Sequence, residues 1–150
     1  MASQKELDSV YMQTALTHAM LSKAVRAQVG AVLVTSHGVT LTGYNGTAKG
    51  RDNCCEEELI DKDWFVTRVT KPEVIHAELN CILKAAREGV SCVDSTVYVT
   101  LAPCVQCSAM MVQAGVKRIV YKTPYRDASG LDLLEGSGVR IQQYSETQLC

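Results

Sequence analysis

Two short clusters, His76-Ala77-Glu78 and Pro103-Cys104-Val105-Gln106-Cys107, hold the residues most able to do chemistry. One imidazole and two thiolates suit a tetrahedral zinc ion, and three protein ligands leave its fourth position to water. A structural zinc would take a fourth Cys or His instead. The remaining histidines, His18 and His37, lie far away in the sequence. His18 reads as a helix-face residue and His37 as a solvated turn residue. Glu78, two positions after the histidine, is the right type to take a proton from that water and pass protons to a departing group. The set describes a metal-assisted hydrolysis, with Glu78 as proton shuttle rather than ligand.

Both clusters fall where helices are predicted to begin. Free backbone N–H groups and the helix dipole favour thiolates there. Apolar spacing (Val10, Ala15, Ala19, Met20) predicts a first helix over 6–25. The β-branched run 29–34 is a strand, Ser36-His37-Gly38 a turn, and 39–44 its hairpin partner. A long loop follows, marked by Gly43, Asn45, Gly46, Gly50 and Asn53, and runs into the acidic Glu56-Glu57-Glu58. A helix over 76–88 closes at Gly89, a strand covers 96–100, and Pro103 opens a helix over 104–114 that ends at Gly115. A strand over 118–121, a helix over 131–135 and a strand over 139–142 complete the chain. The order β-β-α-β-α-β-α-β predicts an α/β fold, a mixed sheet with helices on both faces. Its first two strands pair antiparallel, and strands separated by whole helices run parallel.

At 150 residues the chain is expected to be one domain over 1–150, long enough to bury a real core. Apolar residues at 47% and charged residues at 21% match an ordinary globular protein. No run approaches the ~18 apolar residues of a membrane span, and the polar N-terminus lacks the apolar centre of an export signal. A soluble cytoplasmic protein with no membrane partner is expected. The net charge of −1 gives no argument for a long polyanion, so no nucleic-acid partner is expected either. The seven cysteines read as reduced thiols, with Cys104 and Cys107 recruited to metal and Cys81 and Cys92 as small core residues. Cys54, Cys55 and Cys150 carry no assignment.

The His-x-Glu and Pro-Cys-x-x-Cys pair resembles the signature of the cytidine deaminase superfamily. Gln28-Val29-Gly30-Ala31, Gly43-Tyr44-Asn45-Gly46, Asn53-Cys54-Cys55, the stretch 75–80, Tyr98-Val99-Thr100-Leu101 and Gln113-Ala114-Gly115-Val116-Lys117 resemble its deoxycytidylate (dCMP) deaminase branch. The resemblance implies a three-layer α/β/α sandwich on a mixed five-stranded sheet, cytidine deaminase-like. It also implies zinc-dependent hydrolysis of dCMP to dUMP and ammonia, feeding dTMP biosynthesis.

By that resemblance His76, Cys104 and Cys107 hold Zn2+ and Glu78 shuttles protons. Asn45 meets the sugar 3′-hydroxyl, and the Ala77 backbone meets the cytosine. Arg26, Lys122, Tyr125 and Arg126 are candidates for the 5′-phosphate, with Tyr125 first because a matching tyrosine follows the fourth strand in relatives. The family implies a homohexamer activated by dCTP and inhibited by dTTP, with Mg2+ accompanying the effector. The effector loop would use Gly46, Lys49, Gly50, Arg51 and Asn53, with Arg87 in a subunit or effector contact.

The chain also departs from that pattern. No histidine lies between His37 and His76, which removes the second zinc of some relatives, and the 56–72 segment is shorter. Trp64-Phe65 within it reads as a core or interface anchor. Three other readings fit less well. A tRNA adenosine deaminase would carry more basic surface. A free-nucleoside cytidine deaminase would use an all-cysteine site. A non-catalytic, zinc-stabilised subunit would have no need of Glu78.

Overall fold

The structure, a computed structural model, describes residues 1–146. Helix α1 (Gln4–Ala19) opens with a reciprocal cap in which Ser3 and Glu6 satisfy each other's backbone donors. There follow β1 (Gly30–Val34), β2 (Thr40–Tyr44), β3 (Glu56–Ile60), β4 (Val66–Thr70), α2 (Ala77–Glu88), β5 (Thr96–Leu101), α3 (Val105–Ala114), β6 (Arg118–Thr123), α4 (Ser129–Gly136) and β7 (Arg140–Gln143). The main sheet has the order β2-β1-β5-β6-β7, and β3 and β4 form a separate hairpin.

β1 is antiparallel to both β2 and β5, and β5, β6 and β7 run parallel. Strands β2 and β5, joined through α2, therefore share one direction although β1 lies between them. The parallel expectation holds in that form.

Strand alternation sorts the core into two layers. Ala31, Leu33, Val97, Val99 and Ile119 point to one face, where they pack with Ala85 of α2, Met111 of α3 and Leu134 of α4. Val32, Tyr98 and Val120 point to the other and meet Met12 and Ala15 of α1. The result is the expected three-layer sandwich. Cys81 and Cys92 are buried as expected, and burial pushes the Cys81 thiol up to about 12, which makes it inert. Cys150 lies outside the described residues.

Three details correct the sequence reading. The first helix stops at Ala19 rather than running to 25, and Val10 and Met20 are exposed while Asp8 is buried. Residues 20–29 are irregular instead, and Ser22 donates through Oγ to the Asn45 carbonyl at 2.9 Å. The acidic stretch after the long loop, given no element from sequence, begins the β3–β4 hairpin. Trp64 and Phe65 sit near its tip, 84% and 70% exposed, so neither is a core anchor.

Candidate active and metal site

His76 and Cys104 occupy the N-cap positions of α2 and α3. Both have the extended backbone of an N-cap, yet neither side chain caps its own helix. The two side chains turn toward each other across the end of the sheet. Cys107, one turn into α3, joins them. His76 Nδ1 lies 3.6 Å from Cys104 Sγ and 3.4 Å from Cys107 Sγ. A tetrahedral zinc with Zn–N and Zn–S bonds of about 2.1 and 2.3 Å places its N and S ligands about 3.6 Å apart. The donors present fit that ion in type and in spacing.

Local packing fixes both helix starts. Gly46 and Ile75 exchange two backbone hydrogen bonds, of 3.0 and 2.8 Å, which pins the entry to α2 beside the end of β2. Asn80 Nδ2 donates to the Tyr44 carbonyl at 3.0 Å and holds the next turn. Gly43 lets the helix lie this close, since a Cβ there would stand 2.4 Å from the Ala77 carbonyl oxygen. Gly130 of α4 does the same for α3, because its Cβ would stand 2.1 Å from the Pro103 carbonyl oxygen.

Gly130→Ala must therefore push the Pro103-Cys104 turn outward. We expect a loss of about 1–3 kcal/mol from overpacking and zinc affinity lowered about tenfold as the thiolate is displaced. Denaturant melts and a competitive chelator titration measure the two effects. An unchanged affinity would show that the turn absorbs the methyl elsewhere.

The three donors lie within hydrogen-bond reach of one another. The Cys104 thiolate accepts from the Cys107 thiol and the His76 imidazole, which brings it down to about 4. The Cys107 thiol, donating to Cys104 and buried, is pushed up. His76 is pushed up by its hydrogen bond to Cys104. Glu78, 4% exposed in the first turn of α2, is pushed up by burial.

A cavity of about 190 Å³ opens on this group, lined in part by His76, Ala77, Glu78, Cys104, Asn45, Arg26 and Tyr125. It brings together most of the residues expected from sequence. Lys122 and Arg126 do not line it; Lys122 instead pairs with Glu146 at 3.3 Å. Asn45 is buried at the wall. Its Oδ1 accepts from Val29 N and its Nδ2 donates to the Ala27 carbonyl, both at 2.8 Å, so the amide also shapes the rim.

A second cavity, of about 560 Å³, lies on the other side of Asn45 and is lined by Gly46, Lys49, Gly50, Arg51 and Asn53. Arg87 does not line it; Lys84 of α2 does, while Arg87 is exposed and paired with Glu88 at 2.8 Å. Sequence reasoning missed Glu56 and Thr70, which line the first cavity from the hairpin root, and Gly130. The run of three glutamates hid the first as an ordinary charged stretch.

Known proteins resemble this chain in sequence and in fold. The deoxycytidylate deaminase of Schizosaccharomyces pombe is 36% identical over 91% of this chain, which spans only 44% of that protein's length. The deoxycytidylate deaminase of Enterobacteria phage T4 is 31% identical, with 89% of this chain and 87% of the phage protein covered. The crystal structure of dCMP deaminase from the cyanophage S-TIM5, in complex with dCMP and dUMP, superposes with a TM-score of 0.83 at 36% identity. It covers 95% of this chain and 100% of that one. The cytidine and deoxycytidylate deaminase zinc-binding region matches residues 5–123, which include every metal donor described above, and the chain belongs to that family.

Proposed function

We propose that the chain is a single zinc-dependent domain that hydrolyses dCMP to dUMP and ammonia in the cytoplasm, feeding dTMP biosynthesis. The observation that carries this reading is one cavity lined by His76, Cys104 and a buried carboxylate, Glu78, with Cys107 completing the donor cluster behind it. Zinc bound there would supply the Lewis acidity that lets water ionise near neutral pH. Glu78 takes the water proton and delivers protons to the cytosine ring nitrogen and the departing amine. The Ala77 backbone and Asn45 orient base and sugar at the wall. Arg26 and Tyr125 meet the 5′-phosphate at the rim. The likeness to a cyanophage structure that contains dCMP and dUMP supports this substrate.

Regulation belongs to the same proposal. The glycine-loop cavity, with Lys49 and Arg51 beside Gly46, Gly50 and Asn53, suits a nucleoside triphosphate whose phosphates meet backbone N–H groups and cations. There dCTP would activate and dTTP inhibit, each with Mg2+, in a homohexamer. Arg87, outside that cavity, is left to a contact between subunits.

Ultraviolet-monitored deamination of dCMP, deoxycytidine, CMP and dCTP, with and without added dCTP and magnesium, tests both parts. Preferred turnover of dCMP supports the reaction, and its stimulation by dCTP supports the second site. No turnover of any of them by the zinc-loaded protein would refute the substrate and point to a polynucleotide or a non-catalytic role.

A further inference from the structure

Arg26 is the only lysine or arginine among the described residues that line the metal cavity. It sits in the irregular 20–29 segment, which has no helix or strand to hold it. The root of the β3–β4 hairpin holds it instead. The backbone N–H groups of Val25 and Arg26 both donate to Oε1 of Glu56, at 2.9 and 3.1 Å. The Arg26 guanidinium donates through Nη1 to Oγ1 of Thr70 at 3.3 Å. Glu56 and Thr70 face each other in the same rung of the hairpin. One rung thus grips both the backbone and the side chain of one arginine.

The remainder of the hairpin does nothing comparable. Residues 57–68 are all exposed, so they add nothing to the core. Among the described residues, the buried contacts of this segment lie at its base. Cys55 packs with Ala24 and Val74 in a small buried cluster, and Lys71 N donates to the Cys55 carbonyl at 2.9 Å. Among the described residues, Glu56 is the hairpin side chain that bonds the backbone of the rim.

We propose that Glu56 is a positioning residue, whose carboxylate holds two consecutive rim N–H groups so that Arg26 stands where the substrate phosphate must lie. The inference rests on the dCMP reading above and supplies the device by which that site would recognise a monophosphate. A bare carboxylate beside a phosphate would repel it. Here the charge is directed onto two backbone dipoles in charge-assisted hydrogen bonds. A glutamine keeps an acceptor oxygen in the same place, with weaker bonds and no charge.

The test is steady-state kinetics with dCMP on the full chain, comparing wild type, Glu56→Ala, Glu56→Gln and Thr70→Val, each with a melting curve. Losing the two bonds should raise KM about tenfold in Glu56→Ala, with kcat moving far less. Glu56→Gln should recover most of that KM. Thr70→Val, which frees only the guanidinium, should raise KM by about threefold. A fall in kcat at constant KM, or a glutamine variant as impaired as the alanine one, would overturn the proposal. Should Glu56→Ala not fold, Thr70→Val and Glu56→Gln decide between the same outcomes. A normal wild-type reaction with KM unmoved sinks only the role of Glu56. A zinc-loaded wild type that leaves dCMP untouched sinks the underlying reading, and the proposal with it.

Discussion

Glu78→Gln is expected to lower kcat by about 10²–10⁴-fold, the range of a general acid–base residue, while zinc content and melting temperature stay near wild type. Two carboxylates line the cavity among the described residues, Glu56 and Glu78, and Glu56 is engaged with the rim N–H groups. No second acid stands ready to carry the proton. The amide fills the same buried volume and can donate and accept hydrogen bonds, but it cannot move a proton through the cycle. Ultraviolet-monitored turnover beside metal analysis of the same sample measures both sides of the expectation. A variant that kept wild-type turnover would remove Glu78 from the mechanism.

The largest stability effect belongs to Asp8. Its carboxylate takes a two-pronged contact from Arg118, Nη1 to Oδ1 at 2.8 Å and Nη2 to Oδ2 at 2.6 Å, and one bond from the Tyr98 hydroxyl at 2.7 Å. Arg118 Nη2 also donates to Gln142 at 2.6 Å. This network ties α1 to β5, β6 and β7. Asp8→Ala strands the guanidinium in the interior and should cost about 3–5 kcal/mol in denaturant unfolding. Replacing both partners, as in Asp8→Leu with Arg118→Met, should recover much of that loss.

The pH dependence follows from the same contacts. Burial alone would raise the Asp8 carboxyl, but the hydrogen bonds from Arg118, Gln4 and Tyr98 outweigh it and hold it below the usual range. Its contribution is therefore complete above the unfolded value, about 3.9, and is lost as pH falls through the lower folded value. Wild type should shed stability below about pH 4 more steeply than Asp8→Ala. Equal slopes would mean that Asp8 does not titrate as part of this network.

Much of the site was legible because its chemistry is local. His76 with Glu78, and Cys104 with Cys107, are neighbours in sequence, and Pro103 and the glycines at 89 and 115 mark helix boundaries that need no tertiary knowledge. The sheet was legible for a similar reason, since its buried strands are short runs of β-branched residues. The hairpin was not. Its strands are exposed on nearly every side chain, so they carry no alternation, and Glu56-Glu57-Glu58 reads as a solvated run.

Asp8 was hidden as well, because a lone acid on a helix face gives no sign of an arginine 110 residues away. Which of Arg26, Lys122 and Arg126 lines the cavity also needed the fold. Spacing alone treats all three alike, whereas only Arg26 is drawn to the cavity by the rung at the hairpin base.

The two uncapped helix starts limit how far this fold can be hardened. Ser, Thr, Asp or Asn at an N-cap is worth about 1 kcal/mol, and His76 and Cys104 hold those positions without forming the bond. Helix capping and metal binding therefore ask for different side chains at these two positions. Serine or aspartate at either position would gain the cap and lose the metal donor, so the present residues are the more stable choice wherever bound metal outweighs a cap.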